Sequence, residues 1–278
     1  VHDLDGWRVH RTGTSGEVVL AVDFPMTGRS EAGFAELAQL LDPALAVWET
    51  LPPPVGEGTP ATGAEFVARW LADVRASGLV VRGMLSFCAG AAYLGALSDG
   101  IAQWQDEAPA IVMIDPEVPA SLTLKAHFLR ALEQFAVMYP EERATRMRED
   151  ARALCDELGH DIDLLLPAVT GMFREVGMES FAHINIDPRH GSGLLDVFDA
   201  FAKYVVGGSQ LDATRGWDRG VALSSHTPTN GLNLLPPEAD RADAVGEEIR
   251  FDIAHAEMLG HAVIAAKVDE LLSRPARA

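Results

Sequence analysis

Residues 79–95, reading LVVRGMLSFCAGAAYLG, constrain this chain more than any other stretch. They open on an apolar run (Leu79, Val80 and Val81, then Met84 and Leu85), the composition of a buried strand. They continue through Ser86-Phe87-Cys88-Ala89-Gly90 and close on the small residues 89–92, which suit the tightly packed start of a helix. A strand that bends sharply into a helix, with a reactive side chain at the bend, is a nucleophile elbow, most often written G-x-S-x-G. Here Cys88 holds the nucleophile position and Ser86 replaces the first glycine. Small neighbours have a physical purpose, because the bend strains the backbone and brings strand and helix close together. Taken alone, a cysteine after a core strand is more often a buried structural residue. Two residues later in the chain favour the elbow.

Residues 17–24 (EVVLAVDF) read as a near-continuous buried strand, as in a parallel sheet covered on both faces. The loop Pro25-Met26-Thr27-Gly28-Arg29-Ser30 leads into a helical pattern carrying Phe34, Leu37 and Leu41, with Ser30 as its N-cap. A short strand over 45–50 and a Pro- and Gly-rich loop over 51–61 follow. Thr62 and Glu65 then form a capping box for a helix with Phe66, Trp70, Leu71 and Val74 on its apolar side. Beyond the elbow, residues 110–114 (AIVMI) make another buried strand, ending at Asp115-Pro116-Glu117. This alternation of strand and helix predicts an α/β fold with a doubly wound, mostly parallel sheet.

From 122 to 217 helical periodicity takes over. Met147, Ala151, Leu154 and Leu158 form one stripe; Leu195, Phe198, Phe201, Tyr204 and Val205 form another. The expected organisation is a core of residues 1–121 and 218–278 with a helical lid insertion at 122–217. A separate helical domain with its own core is the alternative. Strand character returns over 220–225 and 248–254, and His255 follows immediately.

Cys88, Asp115 and His255 thus stand at the C-terminal ends of predicted parallel strands, the edge where open α/β sheets build their sites. A thiol titrates near about 8.5 and is mostly protonated at neutral pH. A histidine within reach can take its proton and return one to a leaving group. A carboxylate behind the imidazole fixes its tautomer and stabilises the cation. The chain order nucleophile, acid, histidine is that of the α/β-hydrolases.

At these residues the chain resembles the thioesterase family of nonribosomal peptide and polyketide synthesis, which has the α/β-hydrolase fold. Phe24-Pro25-Met26-Thr27-Gly28-Arg29-Ser30 is similar to the family's F-P-x-A-G-G-S loop, and Ser86-Phe87-Cys88-Ala89-Gly90-Ala91 to its G-Y-S-F-G-G elbow. Ile114-Asp115 resembles the acid-bearing strand end, and His255-Ala256-Glu257-Met258-Leu259 the G-x-H-x-x-M-L segment. Cys for Ser, Ser86 and Arg29 for Gly, Ala91 for Gly and Thr27 for Ala depart from the pattern. The Cys-bearing elbow also resembles dienelactone hydrolases, but those place the acid on a later strand, which here ends in Ser224-Ser225-His226. The thioesterase resemblance implies Cys88 as nucleophile, His255 as general base and acid, and Asp115 as orienting carboxylate. It implies an oxyanion hole from the N–H groups of Ala89 and Thr27, with Met26 in place of Thr27 in a shifted register. The implied substrate is a thioester on the phosphopantetheine arm of an acyl or peptidyl carrier protein, with no cofactor bound to the chain itself.

Cysteine bears on the reaction. A serine enzyme converts a thioester into a more stable oxyester, so hydrolysis or cyclisation follows downhill. A cysteine exchanges one thioester for another at nearly equal energy. An acyltransferase moving an acyl or aminoacyl group from one carrier to a second carrier or an amine is therefore the first expectation. A stand-alone editing or releasing thioesterase is the second. A cysteine standing where the natural residue is serine would restore the hydrolase or cyclase expectation, and a non-catalytic carrier-binding protein is a fourth.

A net charge of −19 argues against nucleic acid or an anionic membrane as principal partner, since both call for basic patches. No apolar run approaches the roughly 18 residues of a membrane helix. The absence of a basic-then-apolar leader pattern makes a cytoplasmic location the expectation. Cys88 and Cys155 are the only cysteines, which is no disulfide framework, and Cys155 reads as structural. His183, His190 and His226 lack metal-ligand spacing, so no metal site is expected. His226, past a strand, could line the pocket. Arg143, Arg146, Arg148 and Arg152 alternate with Glu141, Glu142, Glu149 and Asp150 as on a solvated helix face.

Overall fold

The computed structural model describes residues 4–24, 31–52, 62–159, 161–235 and 241–274. They divide into two compact units: Val1–Pro53, Gly63–Val118 and Gly208–Ala278 in one, and chiefly Pro119–Gly207 in the other. The first unit is built on a sheet of seven strands among the described residues. In chain order these are β1 (Trp7–Arg11), β2 (Glu17–Val22), β3 (Ala46–Thr50), β4 (Val80–Phe87), β5 (Ala110–Ile114), β6 (Val221–Ser224) and β7 (Glu247–Arg250). Their spatial order is β1-β3-β2-β4-β5-β6-β7. Only β1 runs antiparallel to its neighbour; the other pairings are parallel.

Unbroken apolar strands need cover on both faces, and alternation supplies the two sets. Val19, Ala21, Val47, Leu85, Phe87, Val112, Ile114 and Leu223 form one cluster with Phe34 and Leu37 of α1 (Phe34–Leu40). Ile264, Val268 and Leu272 of the C-terminal helix Ala262–Ser273 complete it. Val18, Leu20, Met84, Met113 and Ala222 alternate with the strand residues of that cluster and are equally buried, turned to the opposite face. Away from this cluster, α2 (Gly63–Ser77) and α3 (Leu94–Ile101) bury Phe66, Trp70, Val74, Leu97 and Ile101. Trp70 stacks on Phe66 at 5.9 Å and meets Tyr93 edge-on at 5.1 Å.

Register fixes where the chemistry can stand. Phe87 pairs with Ile114, and Ile114 with Leu223. The next residues, Cys88, Asp115 and Ser224, therefore lie side by side at one edge.

Three features differ from the sequence reading. The last strand ends at Arg250 rather than 254, leaving His255 five positions beyond it. Beyond Arg250 the pairing turns irregular: Phe251 N–H still reaches Ser224 O at 2.8 Å, but His226 N–H, the next donor toward β7, goes to Ile253 O at 3.1 Å. Behind Cys88 the chain first forms a 3₁₀ turn, Cys88–Tyr93, before α3 begins. The strand β1 was not read at all; it is an edge strand whose His10 and Arg8 bond the buried Glu49 of β3 at 2.8 and 3.4 Å.

The second unit contains α4 (Ser121–Ala136), α5 (Glu141–Glu157), α6 (Ile162–His183) and α7 (Pro188–Ser209). Asp161 caps α6, accepting from the N–H groups of Asp163 and Leu164 at 3.1 Å each. Phe173 packs against Phe198 at 4.2 Å and Phe135 at 5.3 Å, giving this unit an aromatic core of its own. On α5 the buried stripe is Ala144, Met147, Ala151 and Cys155, one step round from the one read in the sequence, with Leu154 and Leu158 only partly covered. No helix among the described residues is long and apolar enough to cross a membrane.

Trp70 is 1 % exposed at the centre of its aromatic cluster. Trp70→Ala is expected to lower the unfolding free energy by about 3–5 kcal/mol, read by denaturant titration; a loss under about 1 kcal/mol would show that α2 is not anchored there.

Candidate active site

The elbow forms because β4 delivers Cys88 to the sheet edge and the backbone then turns abruptly. Cys88 adopts a left-handed conformation, φ 52°, which costs a non-glycine residue about 1–3 kcal/mol and persists only where the surroundings impose it. The Trp217 indole donates to Ala91 O at 3.1 Å, tying the 3₁₀ turn to the chain re-entering the core. A side chain at Gly95 would come within 2.4 Å of Arg215 O, so only glycine allows that approach. Ser86, in the place of the first glycine, is fully buried and small enough to be accepted.

Asp115 follows Ile114 with a left-handed backbone as well, φ 46°. It is fully buried. Its Oδ1 accepts from Ser225 N–H at 2.7 Å and its Oδ2 bonds His255 Nδ1 at 2.8 Å. His255 opens the 3₁₀ turn His255–Gly260, with its own N–H donated to Thr227 Oγ1 at 2.9 Å. Its ring lies over Phe87, centroids 4.5 Å apart and planes 19° from parallel. Phe87 is the residue immediately before Cys88. With Nδ1–H committed to the carboxylate, Nε2 is the ring nitrogen left with a lone pair for proton transfer.

Glu117 is the residue that the sequence reading missed. It is 9 % exposed, and its N–H donates to Cys88 O at 3.2 Å. Its Oε1 accepts from Gly231 N–H at 3.1 Å and Asn230 Nδ2 at 3.3 Å. Burial first, and the negative charge of Glu117 second, push the thiol well above its ordinary range; the Ala89 N–H pulls the other way and Asp23 adds a smaller upward push. Gly231 is held against Asp115 so closely that a Cβ there would lie 2.8 Å from Oδ1, and its φ of +59° independently demands glycine. The sequence carried a trace of this corner in the Asn230-Gly231 dipeptide, a turn signal.

Asp115 and His255 are therefore in direct contact, and the imidazole is seated on the neighbour of Cys88. Thr27 and Met26 lie outside the described residues. His226 does not join the group: its ring is half exposed and pairs with Asp252 at 3.0 Å. Cys155 is buried within the second unit. Among the described residues no His, Cys, Asp or Glu gather as a metal-ligand set. Arg143, Arg146 and Arg148 pair with Glu179, Glu142 and Glu133 in partly exposed ion pairs, the kind that solvent screening leaves weak.

No family model and no curated protein matches this chain. Solved structures do. A four-domain nonribosomal peptide synthetase bound to AMP and glycine aligns over 97 % of this chain and 20 % of its own, with a TM-score of 0.60 and 14 % identity. The chain thus spans about a fifth of that synthetase. The NocB thioesterase domain from the nocardicin cluster aligns over 97 % of this chain and 99 % of its own, with a TM-score of 0.53 and 14 % identity. A bromoperoxidase from Bacillus anthracis aligns over 96 % and 94 %, with a TM-score of 0.51 and 13 % identity. At such identities the likeness establishes the fold, which is that of the α/β-hydrolases.

Alkylation of Cys88 by iodoacetamide, resolved from Cys155 by peptide mass spectrometry, should rise with pH through a midpoint above about 8.5, the value of a free thiol. Glu117→Gln should move that midpoint down and speed alkylation at pH 8 several-fold. A midpoint near neutrality in the unaltered protein would instead reveal a thiolate at rest.

Proposed function

We propose that this chain is a thioesterase-like acyltransferase with Cys88 as nucleophile. It takes an acyl or aminoacyl group from a carrier-protein phosphopantetheine thioester and passes it to a second acceptor. The observation that supports this most is the 2.8 Å Asp115–His255 contact, its imidazole stacked beside a cysteine at the same sheet edge.

In this reading His255 Nε2 removes the Cys88 proton as the thioester arrives. The sulfur attacks the carbonyl carbon, and the Ala89 N–H, together with a donor from the Met26–Thr27 loop, holds the oxyanion; each such donor contributes about 3 kcal/mol. The tetrahedral adduct collapses by breaking the bond to the pantetheine sulfur, which takes the proton from His255. A second carrier thiol then reverses these steps. Asp115 holds the imidazole in orientation and stabilises the imidazolium. The chemistry requires no resident cofactor. The inserted helices are assigned the role of a lid on connectivity alone: the chain leaves the core at Val118, three residues past Asp115, and returns at Gly208.

Hydrolysis is the second reading, favoured by the likeness to thioesterase domains. Acyl-loaded carrier mixed with the protein and an empty second carrier separates the two: labelled acyl group on the second carrier supports transfer, and free acid alone supports hydrolysis. Cys88→Ala should abolish both, and turnover surviving in it would reject the nucleophile. Asp115→Asn should reduce the rate by about 10³–10⁴-fold by allowing the wrong tautomer. Cys88→Ser should still form an acyl-enzyme but fail to pass the group to a thiol, since oxyester to thioester runs uphill.

A further inference from the structure

One short segment, residues 225–227, holds the acid with one end and the histidine with the other. The Ser225 N–H donates to Asp115 Oδ1 at 2.7 Å, and Thr227 Oγ1 accepts from the His255 N–H at 2.9 Å. The two ends are tied to each other, Thr227 N–H donating to Ser225 Oγ at 3.2 Å. A single amide then holds the carbonyls of both residues. Asn233, in the 3₁₀ turn Gly231–Leu234, donates through Nδ2 to Ser225 O at 3.1 Å and Thr227 O at 2.8 Å. Its Oδ1 accepts from Arg241 Nη1 at 3.1 Å and Arg250 Nη2 at 3.0 Å. Both guanidiniums also donate to Glu248 Oε1, at 3.1 and 3.2 Å.

A side-chain amide has two N–H donors and an oxygen that accepts twice, and Asn233 uses all four positions. The network also fixes which way the amide points. Turned over, its NH₂ would face two guanidiniums and its oxygen two carbonyls, and all four bonds would be lost. An aspartate of the same shape has no hydrogen to offer the carbonyls. Resting on the acyl-transfer reading, we propose that Asn233 is a positioning residue for that reaction. It touches neither substrate nor reacting atoms. It keeps Asp115 and His255 in line by holding the segment that each of them bonds. Without it Ser225 and Thr227 lose the donor to their carbonyls, and any shift of the segment moves both of its contacts at once. Arg241, Arg250 and Glu248 form exposed ion pairs of little individual strength; their effect here is to orient the amide.

The test compares the full chain with Asn233→Asp and with the double variant Arg241→Ala/Arg250→Ala. The double variant leaves Asn233 in place and alters only partly exposed side chains, so it serves if the first folds poorly. Two quantities are read on folded protein: the His255 Nδ1 proton by NMR, and Cys88 acylation by a pantetheine thioester, followed by intact-protein mass spectrometry. Asn233→Asp should broaden or abolish the Nδ1 proton signal. It should also cut the saturating acylation rate by about 100-fold, the scale of a small misplacement of reacting groups. KM should stay within about twofold, since the residue makes no substrate contact. The double variant should show the same changes in weaker form, with a loss of about 10-fold. A lowered melting temperature with signal and rate unchanged in both variants is what a merely structural role gives, and it overturns the proposal. A rate unchanged despite an altered signal overturns it equally. Failure of the unaltered protein to acylate at all overturns the acyl-transfer reading, and the NMR signal still reports whether Asn233 holds the Asp115–His255 pair.

Discussion

The hydrogen bond between Asp115 Oδ2 and His255 Nδ1, 2.8 Å long, joins residues 140 positions apart in the chain. Neither partner is placed by local sequence; both depend on the sheet. Asp115 is where it is because β5 pairs in register with β4 and β6. His255 is where it is because β7 adds to β6 and the chain then turns back, with the His255 N–H anchored on Thr227. A buried carboxylate needs donors for both oxygens, and here one is the imidazole and the other is the Ser225 N–H. That second donor is taken from the β5 side of β6, one residue past the end of that strand. The shortness of these strands is part of the site's construction.

The corner that receives this bond is stiff by design of its packing. Cys88 and Asp115, adjacent across the sheet, both hold left-handed backbones, a conformation that survives only under external constraint. The constraint comes largely from the segment following β6. Gly231 presses on Asp115 and donates to Glu117, while Asn233 braces the same segment by donating to Ser225 O and Thr227 O at 3.1 and 2.8 Å. One loop thus fixes two carboxylates with different surroundings. Asp115 bonds an imidazole, and Glu117 donates its N–H to the Cys88 carbonyl. The first leaves Nε2 free to accept a proton, and the negative charge of the second adds to burial in pushing the thiol up.

Much of this was legible in the sequence because it depends on strand character. Residues 110–114 and the elbow strand announce themselves by unbroken apolar runs, and polar or reactive residues at their ends stand out against them. What was hidden is contact between distant loops. Glu117 looked like one more acidic residue beyond a strand; its proximity to sulfur follows from the turn at Asp115, which no periodicity reports. Trp7–Arg11 alternates too weakly to mark an edge strand, and its role shows only in the His10–Glu49 pairing. The end of β7 was overestimated because residues 248–254 keep a strand-like composition after their hydrogen-bonding partners have been diverted elsewhere. On α5 the heptad-like pattern gave the helix but placed its buried side one residue out, since Cys155 packs inward as an ordinary small apolar residue would.

In the proposed reaction the acyl-enzyme is itself a thioester, poised between donor and acceptor at similar energy. Everything in that picture requires that His255 present Nε2 unprotonated to the nucleophile. The direct measurement is the tautomer of His255 by nitrogen-15 NMR on histidine-labelled protein at a pH where the ring is neutral, with Asp115→Asn as the assignment control. The expected result is a proton on Nδ1 and a bare Nε2, lost or mixed in the variant. A proton on Nε2 in the unaltered protein would contradict the assignment of His255 as the base that activates Cys88.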